Sequence, residues 1–73
     1  MLLTQIQKGQ QARIVRVKPS AFTDKLMEMG CIPGARITLQ MRAPFGDPIA
    51  YDLEGYTLSM RKKEADLIEI ELI

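Results

Sequence analysis

The sequence predicts a mainly β fold: a small, strongly bent antiparallel barrel of five to six short strands with one inserted α-helix at about residues 20–29. Three observations carry that expectation. Apolar and polar residues alternate with a period of two through most of the chain, tight Gly- and Pro-bearing turns separate the alternating runs, and one stretch alone has helical spacing. With 73 residues, the chain is expected to form one domain, 1–73, in which roughly 60 to 65% of the unfolded surface can be buried.

The segment Ile6 to Gln10 reads as a turn around Gly9 that leads into a first strand over Gln11 to Val17. Its alternation is imperfect, with Ala12 and Ile14 on one face and Val15 and Val17 on the other. Either a bulge shifts the register or both faces are covered. Pro19-Ser20 opens the helix, with Ser20 as the expected N-cap and Phe22, Leu26 and Met29 along one face. Gly30 is placed as the left-handed residue that ends it, which sets Cys31 against Leu26 as a small hydrophobe.

After a Pro33-Gly34 turn, Ala35, Ile37, Leu39 and Met41 are expected inward, and Arg36, Thr38 and Gln40 outward. Ile49, Tyr51 and Leu53 form the next inward set. Glu54-Gly55 reads as a hairpin turn, followed by Tyr56, Leu58 and Met60. Lys62 to Asp66 reads as a turn, and Ile68, Ile70 and Leu72 alternate with Glu69 and Glu71 in the last strand. If those glutamates do not guard its edge by charge, pairing into a homo-dimer is the natural outcome.

Composition excludes several function classes. Ten basic and nine acidic residues leave a net charge of +1, so no broad positive field exists for a nucleic acid. Arg61-Lys62-Lys63 is the one dense basic spot, and Glu64 and Asp66 follow it at once. No apolar run approaches a membrane span and no secretory leader is evident, which points to a cytoplasmic protein that does not insert into membranes. Histidine is absent and Cys31 is the single cysteine, so an internal disulfide, Cys/His and Ser/His/Asp catalysis and His-based zinc sites are excluded. No motif marks a carboxylate pair or an activated lysine, so no catalytic residue and no cofactor are expected. Asp24 and Glu28 stand at i, i+4, but two carboxylates without further ligands hold a cation weakly, and no functional metal site is expected.

The segment best suited to recognition is Ala43-Pro44-Phe45-Gly46-Asp47-Pro48. Each proline fixes its own φ and restricts the residue before it, so the loop is stiff. A stiff loop that holds Phe45 at the surface loses little entropy when a partner covers it. The same aromatic can also fold back as a lid on a small core, and both readings stand at this point.

Leu26 to Gly34, Ala43 to Pro48 and Leu58 to Ala65, in that order and spacing, resemble the ferrous iron transport protein A family over nearly the whole chain. Each motif alone is weak, but three in register are specific. The resemblance implies an SH3-like β-barrel with an inserted helix, a cytoplasmic location, and a role as accessory to a membrane ferrous iron transporter whose cytosolic part is a GTPase. It also implies that the same domain type accompanies some iron- and manganese-dependent regulators. It transfers no catalytic or metal-binding residues. Cys31 departs from the usual pattern, in which a larger aliphatic stands there.

On this footing the expected partner-binding residues are Leu26, Met27, Met29, Arg42, Pro44, Phe45 and Asp47. Leu26 and Met29 would wall a groove facing Phe45, although either serves equally well as core. Met27, on the helix's other side, has the weaker packing role. Arg42 and Asp47 would supply a polar rim around Phe45, or else pair across the base of the loop. An alternative function is an SH3-like adaptor or metal-regulator-associated domain that binds peptide or protein partners unrelated to iron transport. With 5% aromatic residues and no Trp, a proline-peptide groove is disfavoured. A nucleic-acid-binding barrel is disfavoured by the charge balance.

Overall fold

A computed structural model describes residues 1–73. It contains five antiparallel strands, β1 (Ala12–Val17), β2 (Arg36–Arg42), β3 (Ile49–Leu53), β4 (Tyr56–Met60) and β5 (Ile68–Leu72). Two short helices, α1 (Thr23–Glu28) and α2 (Lys62–Ala65), and a 3-10 turn at Leu3–Gln5 complete it. The strands run in the order β4-β3-β2-β1-β5, and no ladder joins β4 to β5. The expected closed barrel is therefore corrected to a sheet that is open between its first and last strands.

Two bulges bend the sheet. Ile14 pairs with Ile70 and Arg16 with Glu69, which leaves Val15 as the extra residue of β1. This bulge explains the broken alternation of the first strand: Ala12 and Ile14 are buried, and Val15 turns outward. In β2, Leu39 pairs with Tyr51 and Met41 with Ala50, so Gln40 is the extra residue. Beyond it every side chain changes face. Met41, expected inward, is 58% exposed, while Ile37 and Leu39 keep their places in the core. A period-two reading cannot see this shift, because a bulge carries no obligatory residue type.

The inserted helix is shorter than expected and starts later. Ser20 does not cap it; its hydroxyl accepts the Phe22 N–H at 3.0 Å in a preceding turn, and α1 begins at Thr23. The C-terminus follows expectation. The Gly30 N–H donates to the Met27 carbonyl and the Cys31 N–H to the Leu26 carbonyl, both at 3.0 Å, which is the paired pattern of a Schellman motif with Gly30 at φ +105°. Lys62–Ala65, expected as a turn, forms a one-turn helix whose first N–H groups are taken by carboxylates: Glu64 accepts from Arg61 at 2.8 Å and Asp47 from Lys62 at 2.9 Å.

The interior is wholly apolar apart from one phenol. Leu3, Ile6, Ile14, Leu26, Cys31, Ile37, Ile49, Tyr51, Leu53 and Ile68 are nearly or fully inaccessible, and no charged side chain joins them. Tyr56 and Leu72, expected to continue the inward faces, are half exposed because they sit at strand ends where the core runs out. Glu69 and Glu71 face β1 and pair with Arg16 at 2.7 Å and Arg13 at 3.5 Å. They are cross-strand partners on an exposed face, and each pair contributes about 0 to 1 kcal/mol.

Burial pushes the Cys31 thiol from 9.0 up to about 11. The Tyr51 phenol rises from 10.0 to about 12, chiefly through burial, with Arg42 lowering it and Asp66 raising it. Its hydroxyl finds no hydrogen-bond partner. Both groups keep their protons more tightly in the folded state than in the unfolded one. The associated stability is thus complete below about pH 9 and is lost as pH rises through about 11 for the thiol and about 12 for the phenol. Two units on the thiol correspond to about 3 kcal/mol. Urea midpoints between pH 8 and pH 11 should fall steeply in the native chain and less so in Cys31→Ala. Equal slopes would remove Cys31 from the account.

Candidate protein-docking surface

Phe45 is 98% exposed. Of the two readings the loop allowed, the side chain takes the outward one, and the backbone explains how it is held there. The Gly46 N–H donates to the Ala43 carbonyl at 2.7 Å, closing a turn with Pro44 and Phe45 at its centre and Gly46 at φ +85°. The Ala43 N–H donates to the Pro48 carbonyl at 3.0 Å and closes the loop's base. Asp47 precedes Pro48 through a cis peptide bond, and its carboxylate bonds the Lys62 N–H, tying the loop to α2.

Beside the loop, on the outer face of the sheet, Met41, Ala43, Pro48, Ala50 and Ser59 line a shallow groove of about 150 Å³. Met41 is the residue that sequence reasoning missed. The bulge at Gln40 turns it outward opposite Ala50, where its flexible thioether borders the groove. A fully exposed aromatic on the loop that borders this groove, with an exposed methionine in the groove wall, is an arrangement of the kind that marks protein contacts.

The two polar residues of the expected rim do other work. Arg42 does not pair with Asp47. Its guanidinium reaches the carbonyls of Thr4 at 3.1 Å and Ile6 at 2.8 Å, fastening the N-terminal 3-10 turn against the end of β2. Asp47 is committed to α2, as described. Asp47 therefore braces the loop, as Pro44 does through its fixed φ, whereas Arg42 braces the N-terminal turn.

On the helix, Leu26 is completely buried and cannot wall a groove. Met29 is partly buried, and its carbonyl accepts the Tyr56 hydroxyl at 2.6 Å. That bond fixes the end of α1 beside the β3–β4 turn, whereas the Ala43–Pro48 loop enters β3 at Ile49, the strand's other end. The expected groove between Met29 and Phe45 is not formed. Met27, at 42% exposed, and Ile32, at 47%, give the helix side a separate and smaller apolar spot.

Charges near the loop are mixed. Asp47, Arg61, Lys62, Lys63 and Asp66 line a polar cleft beside α2. Lys63 is exposed, and its ammonium lies 5.3 Å from the centroid of the half-buried Phe22 ring, within cation–π reach. No three Cys, Asp or Glu side chains converge where they could hold a metal ion, and no helix is long and apolar enough to cross a membrane.

Residues 1–72 match the FeoA domain family. The chain is 40% identical over 74 aligned positions to an Fe(2+) transport protein A/Fe(2+) transporter FeoB fusion protein of Porphyromonas gingivalis, with all of this chain and 9% of that protein covered. The solution structure of iron(II) transport protein A from Clostridium thermocellum superposes with a TM-score of 0.93 at 40% identity, over 100% of this chain and 46% of that one. The Stenotrophomonas maltophilia FeoA complexed with zinc, described as a prokaryotic SH3 domain protein, has the same fold with a TM-score of 0.84 at 20% identity, over 97% and 89% of the two chains. The chain thus spans under a tenth of the fusion protein and under half of the Clostridium chain.

Proposed function

The chain belongs to the FeoA family, and from that premise we propose that it is a cytoplasmic, non-enzymatic module, a single domain over residues 1–73, that docks on the GTPase-containing part of a ferrous iron transporter and modulates it. The observation that carries this reading is the fusion. In the Porphyromonas gingivalis relative, a segment alignable with all of this chain is joined covalently to a ferrous iron transporter. A tether raises the effective concentration of two modules to the millimolar range, so that even a weak contact between them is populated. Tethered or free, such a contact needs a surface that makes it specific. Phe45, presented on a stiff loop beside the groove of Met41, Ala43, Pro48 and Ala50, supports that role. Leu26 is left out of the docking set, Met27 is its outlying member, Pro44 and Asp47 hold the loop in place, and Arg42 fastens the N-terminal turn to the end of β2 that leads into it.

Amide shift mapping of the labelled chain tests the reading. Titration with the transporter's cytosolic domain is expected to perturb Phe45 to Asp47, Met41 and Ala50, with no comparable effect from a proline-rich peptide or single-stranded nucleic acid. Shifts confined to Arg61 to Lys63, and seen with nucleic acid alone, would sink it.

A further inference from the structure

The two outer strands of the sheet are treated differently. Along β5, the Ile70 N–H donates to the Met1 carbonyl at 2.7 Å and Leu2 bridges Glu69, so the N-terminal residues cover that edge. Strand β4 has no such cover. Its hairpin closes through the two residues Glu54 and Gly55, both at positive φ, on the Leu53–Tyr56 pair. In a ladder closed this way Tyr56, Leu58 and Met60 exchange hydrogen bonds with β3, and the N–H and C=O groups of Thr57 and Ser59 point away from it. None of the backbone hydrogen bonds outside the strand ladders involves residues 56–60. The usual safeguards of an edge are also missing: the stretch has no proline and no charge, its register with β3 is unbroken, and Thr57 and Ser59 are exposed.

We propose that this edge pairs with the same edge of a second copy of the chain, antiparallel across a two-fold axis at Leu58. That register sets Thr57 opposite Ser59 of the second copy and Ser59 opposite its Thr57. The outward groups of both strands then meet in four new hydrogen bonds. Charge selects a second copy as the occupant. The strand is flanked by Glu54 in the turn before it, whose carboxylate also accepts the Arg36 N–H at 2.7 Å, and by Arg61 and Lys62 just after it, so antiparallel self-pairing brings the acidic end of each β4 near the basic end of the other. Parallel self-pairing would instead stack like charges. The cover of Met1 and Leu2 along Glu69 and Ile70 stands in the way of head-to-tail pairing of β4 on β5, which favours an assembly that closes at two. Ser59 also borders the groove beside Phe45, and pairing therefore brings two such grooves edge to edge.

Sedimentation equilibrium of the full chain from about micromolar to about millimolar concentration, with amide hydrogen exchange at both ends of the range, tests the proposal. The contact is small, so a weak, concentration-dependent dimer is expected, with the Thr57 and Ser59 amides gaining protection as it forms. Ser59→Pro removes an outward N–H without touching the β3–β4 ladder and should raise the dissociation constant at least about tenfold. Lys62→Glu, which leaves the strand intact, should weaken the dimer more strongly at low salt than at high salt. Phe45→Ala should dimerise as the native chain does, which separates this contact from transporter docking. A chain that stays monomeric at millimolar concentration, a dimer indifferent to both substitutions, or an edge that accepts a foreign strand peptide but not its own copy would overturn it.

Discussion

Gly30→Ala is expected to lower stability by about 2 to 4 kcal/mol, and two separate effects add up to that figure. Gly30 sits at φ +105°, where an L side chain is strained. That backbone conformation alone costs about 1 to 3 kcal/mol in a residue bearing a Cβ. The added Cβ would also lie 2.5 Å from the Tyr56 hydroxyl and 3.3 Å from the Leu53 Cδ2. The phenol would have to move, and its 2.6 Å bond to the Met29 carbonyl would be lost or lengthened. For a domain of this size, with a total stability on the order of 4 to 11 kcal/mol, the unfolding midpoint should drop by roughly 10 to 25 °C. Tyr56→Phe removes the clashing oxygen and the bond together. It should therefore cost about 1 kcal/mol in the native background and nearly nothing once Ala stands at 30. Additive losses would show that the strained backbone acts alone, and a total loss under about 1 kcal/mol would refute both effects.

Phe45→Ala is expected to leave stability unchanged within about 0.5 kcal/mol and to weaken binding of the transporter's cytosolic domain by about 30-fold or more. The first half follows from exposure: with 98% of the residue in solvent, truncation removes almost no buried surface. The second half follows from the role proposed for the loop, in which an aromatic anchor enters a pocket on the partner and carries most of the affinity. Thermal unfolding and calorimetric titration of the same variant separate the two. Lost stability would mean that Phe45 packs against its own chain, and unchanged affinity would move the docking site elsewhere, with Met27 and Ile32 the next apolar spot to examine.

These two residues differ in how readable they are. Gly30 was legible because the helical pattern stops there and Cys31 resumes an apolar set, which is the sequence signature of a left-handed helix end. Its close approach to Tyr56 was not, since the two are brought together only when the start of β4 sets the Tyr56 hydroxyl against the end of α1. Phe45 was legible as a residue on a stiff loop, but its direction was not. Two prolines restrict the loop without deciding which side of it faces the core, and that was decided by the turn closing on Ala43 and by the bond from Lys62 to Asp47.

The helix and the strand order of the candidate site show the same division. Phe22, Leu26 and Met29 at helical spacing identified a packed face, and a packed face cannot also be an open groove wall. Only the burial of Leu26 settled which use it serves. Arg42 and Asp47 bracket one loop in sequence, which suits them to a polar rim around Phe45 or to pairing across its base. Each instead found a nearer backbone partner from an element distant in the chain: the Thr4 and Ile6 carbonyls for one and the start of α2 for the other.

The β class, the inserted helix, the hairpin at Glu54-Gly55 and the family were legible along the chain, because period-two alternation, turn residues and three motifs in register are local properties. The two bulges, the exposure of Met41 and Phe45 and the uncovered edge of β4 came only with the folded chain. Each depends on which strand lies beside which, and at what register, and a bulge or a free edge has no residue type that announces it. The Ala43–Pro48 loop belongs to both: its stiffness is in the prolines, and its outward aim is in the fold.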